Sequence, residues 1–253
     1  MIFRFFYTTI ALAGFIGILA GCNNPAGNDD GDTPAVPTGV TAIYSDGFGG
    51  GDLSNWDDHY MIVVGDNYPH MQITADAFHS GSYSLTTDSN RTALQYSLDY
   101  TTRVENGIVG VQYYMMAKEM GGINFTVEIG KNAGSSGGLG KSFGIGFDPS
   151  DSIKCKFYDM LGSVTVSDTL LGPIQLDHWY KCVVEVDFTT RKVTYSIDDA
   201  VVVIKDLPSS DMDHIDRLLV FRGEYVERAN YVTINCLEGP KQYYIDDIVL
   251  YKK

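Results

Sequence analysis

The sequence predicts an all-β domain, a two-sheet antiparallel β-sandwich, and three observations carry that prediction. Apolar residues recur at every second position, turn residues separate these runs at short intervals, and helical periodicity is almost absent. In residues 108–117, Val109, Val111, Tyr113 and Met115 alternate with Ile108, Gly110, Gln112, Tyr114 and Met116. In 123–129, Ile123, Phe125, Val127 and Ile129 share one face, and Asn124, Thr126 and Glu128 the other. Phe143, Ile145 and Phe147 alternate in the same way with Ser142, Gly144 and Gly146. Successive side chains of a strand point to opposite faces, so each run is a strand with one apolar side.

Turn chemistry separates them: Glu105-Asn106-Gly107, Met120-Gly121-Gly122, the Gly/Ser-rich stretch 131–141, Asp148-Pro149-Ser150-Asp151 and residues 188–192. About a dozen short strands at this spacing hide their apolar sides by packing two sheets face to face. One stretch departs from the pattern. Residues 209–219, SSDMDHIDRLL, read as a single helical turn capped by Ser209 or Ser210.

Residues 1–21 read as a secretory signal, with Arg4 ahead of an apolar run from Phe5 to Ala20. Leu19-Ala20-Gly21-Cys22 resembles the lipobox of bacterial lipoproteins. That resemblance implies cleavage before Cys22, lipidation of Cys22, and a cell-envelope location, the outer membrane with its face left open, reached through the lipid anchor. A plain signal peptide or a short membrane helix is the alternative. Residues 22–42, rich in Pro, Gly, Asn and Asp, read as a flexible tether, its Asp29, Asp30 and Asp32 either solvated linker or a sorting signal. Residues 43–253 form one domain with no further run long enough to span a bilayer. A formal net charge of -14, from Asp+Glu 32 against Lys+Arg 18 with no basic block, argues against nucleic acid or an anionic membrane surface as partner.

Beyond Cys22, the apolar neighbours of Cys155, Cys182 and Cys236 point all three inward. One disulfide with a thiol left over, or three buried thiols, fit equally. There is no Cys-x-x-Cys, and His59, His70, His79, His178 and His214 do not cluster with the cysteines, so zinc is not expected.

Several stretches together resemble the concanavalin A-like lectin/glucanase jelly roll, in particular its laminin G-like members in bacterial lipoproteins. They are SDGFGGGDLSNW at 45–56, FHSGSYSLTT at 78–87, HWYKCVVEVDFTTRKVTYSIDD at 178–199 and the closing YYIDDIVLY at 243–251. The resemblance spans nearly all of 44–252. It implies that the first and last strands lie side by side, with Asp46 near Asp246 or Asp247. A structural calcium ion held by these carboxylates is implied as in many relatives, the alternative being that they cap strand ends.

Glucanases of that fold carry Glu-x-Asp-x-x-Glu on one strand. Here Glu185-Val186-Asp187-Phe188-Thr189-Thr190 has Thr190 in the third place. Retaining hydrolysis needs two carboxyl groups flanking the bond, so Glu185 and Asp187 read as structural, Asp187 closing the turn that follows, and no catalytic residue is expected. A lyase of the alginate type would show Gln-x-His, which is missing. No Gly-x-Ser-x-Gly occurs, and the glycines of 134–140 precede no Lys-Ser/Thr. The expectation is a non-catalytic carbohydrate-binding or adhesion module with a glycan partner, for which 17 Tyr supply stacking rings. Gln112, Tyr114, Arg222 and Trp56, with Tyr68 beside them, are the candidate contacts; Trp56 plugging the core and Arg222 in a salt-bridged outer face are their alternatives. The competing functions are a polysaccharide-degrading enzyme of the same fold, hydrolase or lyase, and a structural envelope protein.

Overall fold

The computed structural model describes residues 33–54, 56, 58–60, 71–87, 92–98, 103–119, 125–132, 139–148, 150–159, 165–207, 212–222, 224–228, 231–235 and 242–253. Within these, the backbone alone is described at 58–60, 87, 92–95, 132, 139–140, 158–159, 165–168, 221–222, 224–228 and 231–235. The strands, numbered in chain order, form two large antiparallel sheets. Sheet A runs β13 (Ala200–Asp206), β12 (Lys192–Ile197), β11 (Tyr180–Asp187), β6 (Ile108–Ala117), β17 (Tyr243–Lys252), β4 (Ser84–Thr87) and β3 (Gln72–Thr74), with β1 (Thr41–Asp46) also on β17. Sheet B runs β10 (Thr165–Pro173), β9 (Ser152–Asp159), β8 (Leu139–Asp148), β7 (Phe125–Asn132), β14 (Arg217–Arg222), β5 (Thr92–Ser97) and β2 (Asp58–Tyr60). A separate hairpin joins β15 (Glu224–Arg228) to β16 (Tyr231–Asn235).

The apolar parity read from the sequence is the face turned into the core, although of β6, β7, β8 and β11 only β11 alternates buried with half-buried residues; in the other three most residues of the other parity are covered as well. Val109, Val111, Tyr113 and Met115 of β6 face Phe125, Val127, Ile129, Phe143, Ile145 and Phe147 of sheet B, all shut off from water. Two tyrosines carry hydroxyls into this core and each finds a carbonyl on the opposite sheet. Tyr113 donates to Ile145 O at 2.6 Å and Tyr195 to Lys156 O at 3.1 Å, so burying the rings strands no polar atom. Cys155 and Cys182 are buried, unbridged thiols; burial drives the Cys155 thiol up to about 12 and the Cys182 thiol well above its ordinary value. Cys22 and Cys236 lie outside the described residues.

The hairpin of 178–199 is built as its turn residues require. Asp187 accepts the amides of Thr189 and Thr190 at 2.8 and 3.0 Å and the Thr190 hydroxyl at 2.6 Å, which holds the carboxyl below its ordinary value. Asp198 and Asp199, with φ of 49° and 64°, turn β12 into β13, the left-handed pair that a two-residue hairpin demands. First and last strands lie side by side, Asp46 pairing with Ile248. Where a helical turn was expected, the described part of 209–219 is extended: Ile215 exchanges both backbone bonds with Val104, and Met212 and Ile215 are buried. Ser209 and Ser210 lie outside the described residues, which contain no helix. Apolar residues at 212, 215, 218 and 220 serve an edge bridge and an inward strand face instead.

Both outer edges on one side carry bulges, at Tyr195/Ser196 opposite β13 and at Leu170/Gly172 in β10. Truncating Ile145 to alanine in the core should cost about 2–5 kcal/mol. The same change at Ile204, 61% exposed on β13, should cost under about 0.5 kcal/mol. Urea denaturation of both variants checks the assignment of faces.

Candidate functional site

Strand register places an unusual set of residues on the face of sheet B turned away from the core. Across β9, β8 and β7, Lys156, Gly144 and Glu128 stand in one row, and Lys154, Gly146 and Thr126 in the next. A third row aligns Ser142, Gly130 and Arg217. The glycines make the floor. A Cβ at Gly144 would stand 2.5 Å from Val127 O and 2.7 Å from Glu128 Cγ, and one at Gly146 would stand 2.2 Å from Phe125 O. With β8 stripped to backbone here, the Lys156 side chain crosses it to reach Glu128.

Glu128 is 1% exposed, and its oxygens are fully engaged. Oε1 accepts from Lys156 Nζ at 2.9 Å and from the Thr126 hydroxyl at 2.8 Å; Oε2 accepts from the Ser142 hydroxyl at 2.5 Å. Burial pushes the carboxyl up, but the Lys156 charge and the three hydrogen bonds outweigh it and hold Glu128 below its ordinary value. Beside it Lys154 pairs with Asp148 at 2.8 Å, and Asp148, raised by burial, is brought below its ordinary value by its bonds to Lys154 and Ser150. Arg217 lies 3.8 Å from Asp216. The arrangement is a desolvated, ionised carboxylate gripped by a cation and two hydroxyls on a sheet face that has no core to fill. Such a group supplies a fixed charge that can stabilise charge developing beside it.

The residues singled out from sequence scatter. Gln112 and Tyr114 stand on the outer face of sheet A, on β6 beside Val183 and Lys181 of β11. Trp56 is in the core, stacked on Phe48 and edge-on to Tyr44, with Nε1 donating to Asp46 at 2.9 Å. Arg222 ends β14 in sheet B, where the backbone alone is described, and Tyr68 lies outside the described residues. Glu185 is on β11 in sheet A and accepts from Tyr251 Oη at 2.8 Å and from Lys253.

The carboxylates near the chain ends turn to different partners. Asp46 accepts from Trp56, from Phe48 N at 2.8 Å and from Tyr44 Oη at 3.0 Å. Asp246 takes the amides of His79, Ser80 and Asp247, and Asp247 takes Ser80 Oγ at 2.7 Å and meets His79 Nδ1 at 2.6 Å. These oxygens meet N–H and O–H donors, and among the described residues no three or more His, Cys, Asp or Glu are grouped as a metal site. Burial, reinforced by the Asp247 charge, raises Asp246 to about 7.

Glu128 and Lys156 were missed because a polar residue on the outward parity of a strand ordinarily meets water. The signal was present in two adjacent runs: Gly144 and Gly146 alternate with aromatic and aliphatic residues, and Lys154 and Lys156 alternate with Ile153, Cys155 and Phe157.

No family model matches the chain, and no curated protein does. Solved structures share its architecture. An endo-β-1,4-glucuronan lyase from the fungus Trichoderma reesei superposes with a TM-score of 0.56 over 84% of this chain and 96% of its own, at 11% identity. The catalytic domain of an endo-1,3-β-glucanase (laminarinase) from Thermotoga petrophila gives 0.55 over 85% and 98%, at 12% identity. A GlcNAcα1-4Gal-releasing endo-β-galactosidase from Clostridium perfringens gives 0.52 over 87% and 65%, at 14% identity. The chain has the concanavalin A-like jelly-roll β-sandwich fold of these glucanases and lyases.

Glu128→Gln removes the buried carboxylate charge that Lys156 meets at 2.9 Å and should destabilise the fold by about 3–5 kcal/mol, whereas Glu128→Gln/Lys156→Met should recover most of that loss. Paired urea titrations measure both. Asp246 binds its proton more tightly folded than unfolded, so its contribution to stability is largest below the ordinary carboxylate value and declines as pH rises to about 7. Asp246→Asn should flatten stability against pH between these limits, read from denaturation midpoints from pH 4 to 8.

Proposed function

We propose that the chain is a polysaccharide-processing enzyme whose substrate lies across the outer face of sheet B, with Glu128 as the ionised carboxylate at its centre. The observation that carries this is the buried Glu128–Lys156 pair with its two hydroxyl donors. A buried ion pair is a poor way to gain stability, since apolar residues of similar volume usually serve as well or better. Here the core lies on the other face of the sheet. A preorganised charge in a water-poor place is what stabilising a charged transition state requires.

The solved structures of like fold support the degrading enzyme better than the non-catalytic module expected from sequence. That expectation rested on Thr190 in place of a third carboxylate. Glu185 and Asp187 belong to β11 in sheet A, so the incomplete motif does not bear on the opposite sheet. Glu128, ionised and held on both oxygens, is suited to fixing the charge of the site and not to the role of general acid. We also place the protein at the cell envelope through a lipid on Cys22, supported by the Leu19-Ala20-Gly21-Cys22 pattern.

The test is release of oligosaccharides from a panel of neutral and uronic-acid polysaccharides. The native chain should release products from at least one polymer, and the Glu128→Gln/Lys156→Met variant should lose that release by about a hundredfold or more while remaining folded. Undiminished release by the folded variant would show the pair to be structural only.

A further inference from the structure

The outer face of sheet A carries a second group of side chains held as firmly as the first. The β3–β4 connection is pinned to the bulge of β17, where Asp246 accepts the amides of His79 and Ser80 at 2.8 and 3.2 Å. Asp247 meets the imidazole Nδ1 and accepts the Ser80 hydroxyl. The pinned imidazole lies flat on Tyr114, with centroids 3.5 Å apart and planes 13° apart, and meets Trp179 edge-on at 5.9 Å and 69°. Trp179 comes from the β10–β11 connection, so this contact joins two loops. Those loops also expose Phe78 (44%), Tyr83 and Leu176. Two buried carboxylates therefore fix an aromatic surface that remains wet.

We propose that His79, Trp179 and Phe78 form a second carbohydrate-binding site, separate from the sheet B floor, that takes a neutral glycan chain. It rests on the reading that the chain acts on polysaccharide. Rings fixed at a wet surface offer sugar C–H faces a platform at little ordering cost, and nearby carboxylates accept hydrogen bonds from sugar hydroxyls. Charge selects the ligand. Around Tyr114 stand Lys181 against Asp247, Asp199 and Asp198, and around Tyr244, farther along the same face, stand Asp76, Asp177 and Glu119. Lys181 pairs with Asp199 at 2.6 Å, and Lys118 donates to Asp76 O and lies 5.2 Å over Tyr244. Carboxylates outnumber cations, so a uronate or sulfated chain is repelled. The same density of charge argues against a protein partner, because the centres of protein interfaces are depleted of charged residues.

The full chain carrying Glu128→Gln/Lys156→Met, which binds without cleaving on the reading above, is sedimented with insoluble β-1,3-glucan, β-1,4-glucan, xylan and mannan, and with an insoluble polyuronate. Retention on at least one neutral polymer is expected, and adding Trp179→Ala or Phe78→Ala should weaken it about tenfold or more. Phe78 is exposed, so its variant reports even where loss of Trp179 disturbs the loop. No retention on any neutral polymer, retention on the polyuronate alone, or retention unchanged in both variants overturns the proposal. Failure of the native chain to release oligosaccharides sinks the sheet B reading instead, and the sedimentation results decide this one separately.

Discussion

The irregularity at Asp246–Asp247 in β17 is the constraint on which the rest of the architecture depends. On one side β17 pairs with β6; on the other, Tyr243–Ile245 pair with β4 and Ile248–Lys252 with β1. A ladder without interruption would offer that edge to a single strand in a single line. The register break, with Asp247 at φ 51°, divides the edge and lets the first strand and the β3–β4 hairpin both dock on the last. Closing the chain this way also sets Asp46 under Trp56, which seals the core beneath the opening loop, and turns two carboxylates outward to hold His79 and Ser80. One local kink thus connects the topology, a core plug and the aromatic surface.

The two outer faces of the sandwich are specialised in opposite ways by the same geometry. On sheet A the outward Tyr114 of β6 remains and stacks with His79 of a loop. On sheet B, β8 gives up its side chains at 144 and 146, and long side chains from both neighbouring strands fold over the exposed backbone. That lets an ammonium and a carboxylate meet across a strand, a contact that neither adjacent pairing nor sequence spacing would suggest. The inner faces are interchangeable in kind, apolar and tightly filled. Chemical character lies in which residues the outward parity carries.

Most of the fold was legible because the core-facing residues of a strand recur with a period of two, and the apolar residues of β6, β7, β8 and β11 keep that spacing in the sequence. The hairpin of 178–199 was legible for a further reason: Asp187 and the Asp198-Asp199 pair are turn chemistry whose backbone consequences are local. The stretch at 209–219 was not, because Met212 and Ile215 are spaced like a helix face, yet both are buried in extended chain and Ile215 bridges to Val104, a partner more than a hundred residues away in sequence. The sheet B cluster escaped for the same reason. Thr126 and Glu128 are neighbours on one strand, but Ser142 and Lys156 reach them only through the register of three strands, and register is a tertiary property. Trp56 was singled out as a glycan contact or a core plug and Asp46 as a calcium ligand, and the hydrogen bond that joins them crosses a loop that no sequence spacing describes.

The bulged edge of sheet A has a consequence for how the molecule behaves in company. β13 leaves Val201, Val202 and Ile204 open to water on the edge strand of the described sheet, the composition of a template for fibril growth. Yet the strand cannot offer an unbroken row of amides and carbonyls, because the register slips beside Val202, and Lys205, paired with the inward-facing Val193, sets a charge on the inward parity. An incoming strand would lose hydrogen bonds at the kink and bury an ammonium. Copies crowded at high local density would meet a broken and charged edge along this side, a poor template for one another despite its apolar residues.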